Sequence, residues 1–271
     1  MIPISQIVFR PPVKSYERPD DSVLGDARKY NEFFWLDIKN RKEEGHKICC
    51  FLASHSGTSK KRIVLLSHGN AEDLGQNINW MKYLSKHLEV NVLSYDYEGY
   101  GHSTGEPSES NAQDDIQTVY SHIIDVHQIE PKNIFLFGRS LGGGPTIYLA
   151  KEKNHELFAG IIMQSCFTSA IRTKISNSVC AIIPPFVATD MFENIKQLDH
   201  VNTKIPFLIF HGKRDNVVPH QHGIEMTDKL RSRGVEVEFV SFDDAGHNNI
   251  TSTNLAGMMD RLFAFVCTQR K

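Results

Sequence analysis

The sequence predicts an α/β fold in which a mostly parallel sheet of eight strands carries helices on both faces. Three observations predict it: short apolar runs alternate with longer segments of helical periodicity, the connections between them are short, and a Gly-x-Ser-x-Gly turn directly follows one apolar run. At 271 residues the chain is long enough to bury a large core. We therefore expect residues 1–271 to form a single domain.

Strands are expected where short runs are apolar or alternate between apolar and polar residues: 32–38, 47–53, 62–67, 90–95, 133–138, 159–165, 206–211 and 237–242. Helical periodicity falls between these runs, at 74–87, 111–128, 142–153, 220–233 and 252–268. The alternation predicts a parallel, doubly wound sheet after an initial antiparallel pair. Residues 166–200 interrupt this alternation of strands and helices and are rich in apolar side chains. We therefore expect either a small lid insertion there or an ordinary helix packed on the core.

Composition narrows the class of function. The net charge of −2 and the pI of about 6.7 argue against nucleic-acid binding, which usually shows as a basic stripe. The five cysteines are scattered, and Cys49 and Cys50 are adjacent within one expected strand, which is not the pattern of a disulfide framework and favours a reducing compartment. No spacing of cysteines or histidines is typical of a metal site, and we expect neither a metal nor a cofactor.

The chain shows no targeting signal that can be recognised. Residues 1–5 lack the basic start and the long apolar stretch of a signal peptide. The most apolar internal stretch, 179–188, is interrupted by Pro184 and Pro185 and is shorter than the roughly twenty residues that span a bilayer. We expect a cytoplasmic protein that contacts membranes at most transiently and has no built-in anchor.

The Gly-x-Ser-x-Gly turn covers residues 138–142, between the apolar run 133–137 and a helical pattern. A serine in this context sits on a sharp corner above the carboxyl edge of a parallel sheet, and the flanking glycines avoid clashes in the tight bend. This is the nucleophile position of the α/β-hydrolase fold. It makes Ser140 the candidate nucleophile.

A serine hydroxyl needs a base to become nucleophilic, and that base needs a third group to orient it. In an α/β-hydrolase fold the acid and then the histidine follow the serine along the chain. Asp215 follows the strand-like run 206–210, and His247 follows the alternating run 237–242. Both lie just past the end of a strand, where open α/β sheets build their sites. We therefore predict Ser140, Asp215 and His247 as the catalytic residues.

Other acidic and histidine side chains lie near these positions in the sequence. Asp190 is the alternative acid, from an earlier strand end. The remaining candidates are expected to have structural roles: turn packing for His211, solvation at the start of a helix for His220 and His222, and turn capping for Asp243 and Asp244.

An acyl-transfer site also needs two hydrogen-bond donors for the oxyanion of the tetrahedral intermediate. The backbone N–H of Leu141 comes directly after the nucleophile, at the N-terminus of a helix. The second donor is expected in the loop after the strand 62–67, where the N–H of Asn70 is the candidate and His68 is expected to stabilise the loop.

Two long blocks, 66–76 and 94–105, resemble one known group of enzymes. Together with Gly246-His247-Asn248 they are similar to the eukaryotic α/β-hydrolase-domain 17 serine hydrolases, and the likeness extends over nearly the whole chain. Residues 9–12, Phe-Arg-Pro-Pro, also resemble the stretch before that group's catalytic domain. The resemblance implies a protein depalmitoylase, which cleaves S-acyl thioesters from membrane-associated proteins, and it implies the same three catalytic residues.

The chain departs from that group at two places. The group's cysteine-rich, acylated N-terminus has no counterpart, since the first cysteine is Cys49. Arg139 and the glycine run 142–144 are closer to a sister branch of hydrolases whose substrates are poorly defined.

These observations predict a serine hydrolase that cleaves an acyl ester or thioester through a covalent acyl-enzyme, with S-acylated proteins as candidate substrates. The alternatives among enzymes are a general carboxylesterase and a serine peptidase. The alternative of another class is a non-catalytic α/β-hydrolase scaffold, although scaffolds of that kind usually lose one of the three catalytic residues.

Overall fold

The computed structural model describes residues 8–17, 19, 32–38, 45–55, 62–173 and 190–268. Within these residues one eight-stranded sheet has the order β1-β2-β4-β3-β5-β6-β7-β8. The strands are β1 (Glu32–Asp37), β2 (Lys47–Ala53), β3 (Ile63–Ser67), β4 (Asn91–Tyr95), β5 (Ile134–Arg139), β6 (Gly160–Gln164), β7 (Phe207–Gly212) and β8 (Val237–Phe242).

The helices of the described residues lie between these strands. They are α1 (Leu74–Leu88), α2 (Glu109–Asp125), α3 (Gly143–Glu152), α4 (Asn194–Gln197), α5 (Gln221–Ser232) and α6 (Ile250–Thr268). Short 3₁₀ turns occur at Pro131–Asn133, Ser140–Gly142, Ile171–Thr173 and Leu198–His200.

Strand direction follows the expectation from the sequence. β2 is antiparallel to both of its neighbours, β1 and β4, and every other pairing in the described sheet is parallel. β2 is therefore the one strand of the described sheet that runs against the other seven. The predicted α/β-hydrolase fold, with its mostly parallel eight-stranded sheet, is confirmed.

The core lies on both faces of the sheet because successive side chains of a strand point to opposite sides. In β3, Leu65 belongs to one hydrophobic cluster, whereas Val64 and Leu66 belong to the other. Helices α2, α3 and α5 cover the first face, and α1 and α6 cover the second. Cys49 and Cys50 are likewise buried on opposite faces, and both are free thiols.

Helix boundaries depart from the sequence expectations by a few residues. Ser108 caps α2 by accepting a hydrogen bond from the backbone N–H of Asn111, so this helix begins at Glu109 and not at residue 111. It ends at Asp125, ahead of Gln128, whose φ of +54° is incompatible with helix. α6 begins two residues earlier than expected and contains one non-helical residue, Asn254.

The lid or packed helix expected at 166–200 can be compared with the structure only at residues 166–173 and 190–200. Residues 174–189 lie outside the described residues, and so does Cys180. On either side of them, Phe167 and Phe192 are buried, and their rings lie 6.4 Å apart. None of the helices within the described ranges has the length and apolar character needed to cross a bilayer.

Candidate active site

Ser140 occupies a sharp corner between β5 and α3. Its φ is +51°, a left-handed conformation that is rare for a residue with a side chain. The next backbone turn is 3₁₀, over Ser140–Gly142, before α3 begins at Gly143. A Cβ atom on Gly142 would overlap the carbonyl group of Ser67 at the end of β3. The glycine therefore lets this corner pack directly against the strand that leads into the loop containing Asn70.

The structure brings together the three residues predicted for catalysis. The Oγ atom of Ser140 lies 2.9 Å from Nε2 of His247, and Nδ1 of His247 lies 2.7 Å from Oδ2 of Asp215. Each residue comes from a segment that follows a strand, after β5, β8 and β7 respectively. These distances suit hydrogen bonds and place an imidazole between a hydroxyl and a carboxylate. Their roles in catalysis stay a prediction.

Asp215 is held in an environment that favours its ionised form. Its Oδ1 accepts hydrogen bonds from the backbone N–H groups of Val217 and Val218, at 2.9 and 2.8 Å. Burial by itself raises the pKa of Asp215, but hydrogen bonds from His211, His247 and the backbone outweigh it, and the pKa lies well below the ordinary value of 3.8. A carboxylate that stays ionised can accept the N–H of His247.

His211 is a second histidine on the same carboxylate. Its Nε2 lies 2.9 Å from the carbonyl oxygen of Val218 and 3.4 Å from Oδ2 of Asp215. The contact with a carbonyl oxygen places the proton on Nε2, since a carbonyl can only accept. We expected His211 only to pack within a turn, but this buried side chain also contacts Asp215.

The loop after β3, residues 68–73, contains the predicted oxyanion donor Asn70. Ala71 has a φ of +57°, so this loop also holds a non-glycine residue in the left-handed region. The side chain of Asn70 faces a tyrosine, with Oδ1 2.7 Å from the hydroxyl of Tyr100. His68 is buried in the same loop, and its Nδ1 lies 2.8 Å from the carbonyl oxygen of Gly69.

Arg139, the residue before Ser140, connects three loops of the site. Its Nη1 pairs with Glu72 in the loop after β3, and its Nη2 donates a 3.0 Å hydrogen bond to Oδ1 of Asn248, next to His247. The second oxygen of Glu72 accepts a 2.9 Å hydrogen bond from the backbone N–H of Gly69. These contacts tie the turn that carries Ser140 to the loops on either side of it.

The other acidic candidates lie in different environments. Oδ1 of Asp190 accepts a hydrogen bond from the backbone N–H of Met191, and it is Asp215 that meets His247. Asp243 and Asp244 form exposed ion pairs with Lys213 and Arg214.

The expectation for His222 was wrong. This side chain is buried, and its Nδ1 lies 2.8 Å from the hydroxyl of Thr168. His220 is half-buried, with Nε2 2.8 Å from the hydroxyl of Ser241. Both histidines precede or open α5 as expected, but the helix packs against neighbouring elements at this end, which buries His222 and partly covers His220.

Sequence reasoning missed His211, Glu72 and Arg139 as neighbours of the catalytic candidates. Arg139 is the first of the two variable residues of the Gly-x-Ser-x-Gly turn, and its position beside the nucleophile is the one local signal that was available. In the part of the chain that the structure describes, no group of three histidine, cysteine or acidic side chains is arranged to hold a metal ion.

Sequence comparison relates the chain to known hydrolases. Residues 98–271 match the model of the prolyl oligopeptidase family. The chain is 30% identical to the alpha/beta hydrolase domain-containing protein aho-3 of Caenorhabditis elegans, over 97% of this chain and 77% of that protein. It is 33% identical to alpha/beta hydrolase domain-containing protein 17B of Homo sapiens, over 83% of this chain and 73% of that protein.

Solved structures share the fold at lower sequence identity. An esterase of Pyrococcus furiosus superposes with a TM-score of 0.70 at 16% identity, over 96% of this chain and 97% of that one. At this identity the likeness concerns the fold alone.

Proposed function

Because the chain belongs to the alpha/beta hydrolase domain-containing 17 family of hydrolases, we propose that it is a serine hydrolase with Ser140 as its nucleophile. The observation that carries the proposal is the continuous series of contacts from Ser140 through His247 to Asp215, at 2.9 and 2.7 Å. A hydroxyl, an imidazole and a carboxylate in this order form the arrangement that activates a serine in unrelated hydrolases.

In the proposed reaction, Nε2 of His247 takes the proton from Oγ of Ser140 while Oγ bonds to the acyl carbon of the substrate. The imidazolium then gives that proton to the leaving thiol or alcohol, and an acyl-enzyme remains on Ser140. A water molecule attacks the acyl-enzyme with His247 again acting as the base, which releases the acid and restores the serine. Asp215 orients the imidazole and stabilises its charged form throughout.

The oxyanion is proposed to accept hydrogen bonds from the backbone N–H groups of Leu141 and Asn70. Leu141 directly follows the nucleophile, and the close packing of Gly142 on Ser67 supports a short separation between the two donor loops. Preorganised donors of this kind typically lower the barrier of acyl transfer by about 3–4 kcal/mol each.

We propose acyl thioesters and esters, including S-acylated proteins, as the substrate class. The family relationship supports this choice, and the abundance of apolar side chains in the sequence of 166–200 supports an acyl chain of medium or long length. Each buried methylene is worth about 0.8 kcal/mol, so kcat/KM would rise up to roughly fourfold per methylene until the pocket is filled. The match to the prolyl oligopeptidase family supports a serine peptidase as the second candidate.

Labelling with a fluorophosphonate probe tests the nucleophile. We expect the wild-type chain to be labelled and Ser140→Ala to lose both labelling and turnover, with a thermal midpoint within a few degrees of the wild type. Ser232→Ala, which removes an exposed hydroxyl at the end of α5, serves as the matched control and should label normally. Labelling that persists in Ser140→Ala would exclude this nucleophile.

A matched thioester, ester and anilide of one acyl group distinguish an acyl thioesterase or esterase from a peptidase. A series of acyl chains from acetyl to palmitoyl on one leaving group then tests the preference for chain length. We expect turnover of the thioester and the ester, a rise in kcat/KM with acyl length, and no cleavage of the anilide. Efficient cleavage of the anilide would favour the peptidase, and a steady fall in kcat/KM beyond acetyl would exclude long acyl chains.

A further inference from the structure

Residues 8–16, called the N-terminal strap below, lie outside the sheet and cross the loop that contains Asn70. Both polar atoms of the Asn70 side-chain amide contact the strap's main chain: Nδ2 donates to the carbonyl oxygen of Val8, and Oδ1 accepts a 2.8 Å hydrogen bond from the N–H of Arg10. The hydroxyl of Tyr100 completes this junction, since it accepts a 3.0 Å hydrogen bond from the Arg10 N–H and donates to Oδ1 of Asn70.

The other end of the strap is tied to the start of α1, directly after the same loop. The backbone N–H of Ser15 donates a 2.7 Å hydrogen bond to Asp73, the residue that caps α1, and the Ser15 hydroxyl contacts the second oxygen of that carboxylate. The hydroxyl of Tyr16 donates to Asp96, which also accepts a 2.9 Å hydrogen bond from the N–H of Leu74. The strap therefore runs along the loop from Asn70 to Asp73.

Packing holds the strap between these two attachments. Phe9 is only 3% exposed, and its ring lies 5.8 Å from that of Phe192 and 6.4 Å from that of Tyr100. Phe192 in turn packs so closely on Gly144 of α3 that a Cβ atom there would overlap its ring. The strap is thus in contact, through one aromatic neighbour, with the helix that follows Ser140.

The loop beneath the strap has a conformation that needs outside support. Ala71, next to Asn70, has a φ of +57°, which is unfavourable for a residue with a Cβ atom and persists only where neighbouring contacts fix it. The Asn70 side chain is the group through which the strap reaches this part of the loop. Its backbone N–H is the donor proposed above for the oxyanion, so one residue would face the strap with its side chain and the substrate with its main chain.

We propose that the N-terminal strap is a positioning element of the active site, which fixes the backbone N–H of Asn70 through the main chain of Val8 and Arg10. The inference rests on the proposed function, because it assigns the strap a role in acyl transfer. Asn70 and Tyr100 are the positioning side chains, and the strap contributes main-chain groups. Transition-state binding would therefore depend on a segment that lies outside the sheet and provides none of the reacting groups.

Substitutions at the junction test the proposal in the full-length chain. Asn70→Ala removes every side-chain contact with the strap but keeps the backbone N–H, Asn70→Asp keeps the acceptor and loses the donor to Val8, and Tyr100→Phe removes one hydroxyl. Asn79→Ala and Tyr83→Phe, at exposed and half-buried positions of α1, are the matched controls. For each variant we would measure kcat and KM on an activated acyl ester and the inhibition constant of a trifluoromethyl ketone, whose adduct places an oxyanion between the donors.

We expect Asn70→Ala to lower kcat by about ten- to a hundredfold with little change in KM, and to weaken the ketone by the same factor. Tyr100→Phe should shift both quantities in the same direction by a smaller factor, Asn70→Asp should fall between them, and the controls should match the wild type.

Wild-type kcat and inhibition in both Asn70→Ala and Tyr100→Phe would overturn the inference, and so would a loss of kcat with unchanged inhibition by the ketone. If Asn70→Ala does not fold, kcat and inhibition by the ketone in Tyr100→Phe and Asn70→Asp test the inference instead. A wild-type chain that fails to react with a fluorophosphonate would instead overturn the proposed function, so the two failures are distinguishable.

Discussion

Arg139, the last residue of β5 and the neighbour of Ser140, forms an ion pair with Glu72 in the loop after β3, and both side chains are largely shielded from solvent, at 18% and 16% exposure. Burial lowers the pKa of Arg139, as expected for a guanidinium that has lost part of its hydration. Glu72 also accepts a hydrogen bond from the N–H of Gly69 in its own loop, and Arg139 also donates one to Asn248 in the loop that contains His247. The pair is therefore suited to fixing the relative positions of the catalytic loops.

We predict that Arg139→Gln and Glu72→Gln each lower stability by about 1–3 kcal/mol, because each leaves a shielded charge without its partner. The double variant should lose less than the sum of the two single variants, which a double-mutant cycle in urea would measure. Lys132→Gln, which breaks an exposed pair with Glu130, should change stability by less than about 1 kcal/mol. Additive losses would show that the two charges do not act as a pair.

The acid can be tested separately from the nucleophile. Asp215→Asn should lower kcat by about a thousandfold or more, because an amide can favour the wrong tautomer of His247. Asp190→Asn, the change at the alternative acid, should alter kcat by less than about twofold, since Asp215 already occupies the site beside His247. Comparable losses in the two variants would show that the acid is misassigned.

Stability at mildly acidic pH should depend on His122. This side chain is 8% exposed and stacks on Phe34, and burial, together with the nearby His127, lowers its pKa from 6.5 to about 4. Between these two values the unfolded chain binds a proton that the folded chain does not. The contribution of His122 to the free energy of unfolding is therefore fully present above pH 6.5. It is lost as the pH falls toward 4, by about 3 kcal/mol in all.

We predict that His122→Gln, although less stable at pH 7 through lost packing, flattens the fall in the free energy of unfolding between pH 7 and pH 4. Urea unfolding at several pH values would measure this slope. His155→Gln, at a side chain with 71% exposure, should leave the slope as in the wild type. An unchanged slope in His122→Gln would show that other groups cause the acid sensitivity.

Replacing each of two glycines by alanine should change stability in opposite directions. Gly142→Ala would place a methyl group on the carbonyl of Ser67 and should lower the free energy of unfolding by about 1–3 kcal/mol. It should also reduce labelling by a fluorophosphonate. Gly257 is an exposed position of α6 with nothing near its missing Cβ, so Gly257→Ala should stabilise by about 0.5–1 kcal/mol. Thermal unfolding of the two variants measures both effects, and equal shifts would contradict the packing described for Gly142.

The periodic parts of this chain could be predicted because their signals are local. Each expected strand lies within one or two residues of an observed one, and Ser140, Asp215 and His247 could be found because parallel strands bring their carboxyl ends to one edge. The end of α2 was misjudged because the apolar pattern continues to Ile129 beyond the last helical residue. The Ser108 cap determines the start of this helix and the left-handed Gln128 determines its end, and neither feature changes the hydrophobic period.

Contacts between distant segments could not be predicted in the same way. Arg10 and Asn70 are 60 residues apart, and Arg139 and Asn248 are 109 apart, so no window of sequence contains both partners. His222 looked like a solvated residue at a helix start because its partner, Thr168, lies 54 residues earlier. Such pairings depend on how loops pack over the sheet edge, which the period of a segment does not encode.

The left-handed backbone conformation of Ser140 means that the side chain proposed as the nucleophile lowers the stability of the fold. Glycine adopts a φ of +51° without steric conflict, so Ser140→Gly would relieve about 1 kcal/mol of backbone strain while it discards the reactive hydroxyl. A library of variants selected for heat resistance alone would therefore drift toward inactive glycine at this position. Directed evolution of this scaffold would need a covalent-labelling step alongside the thermal one to retain working enzymes.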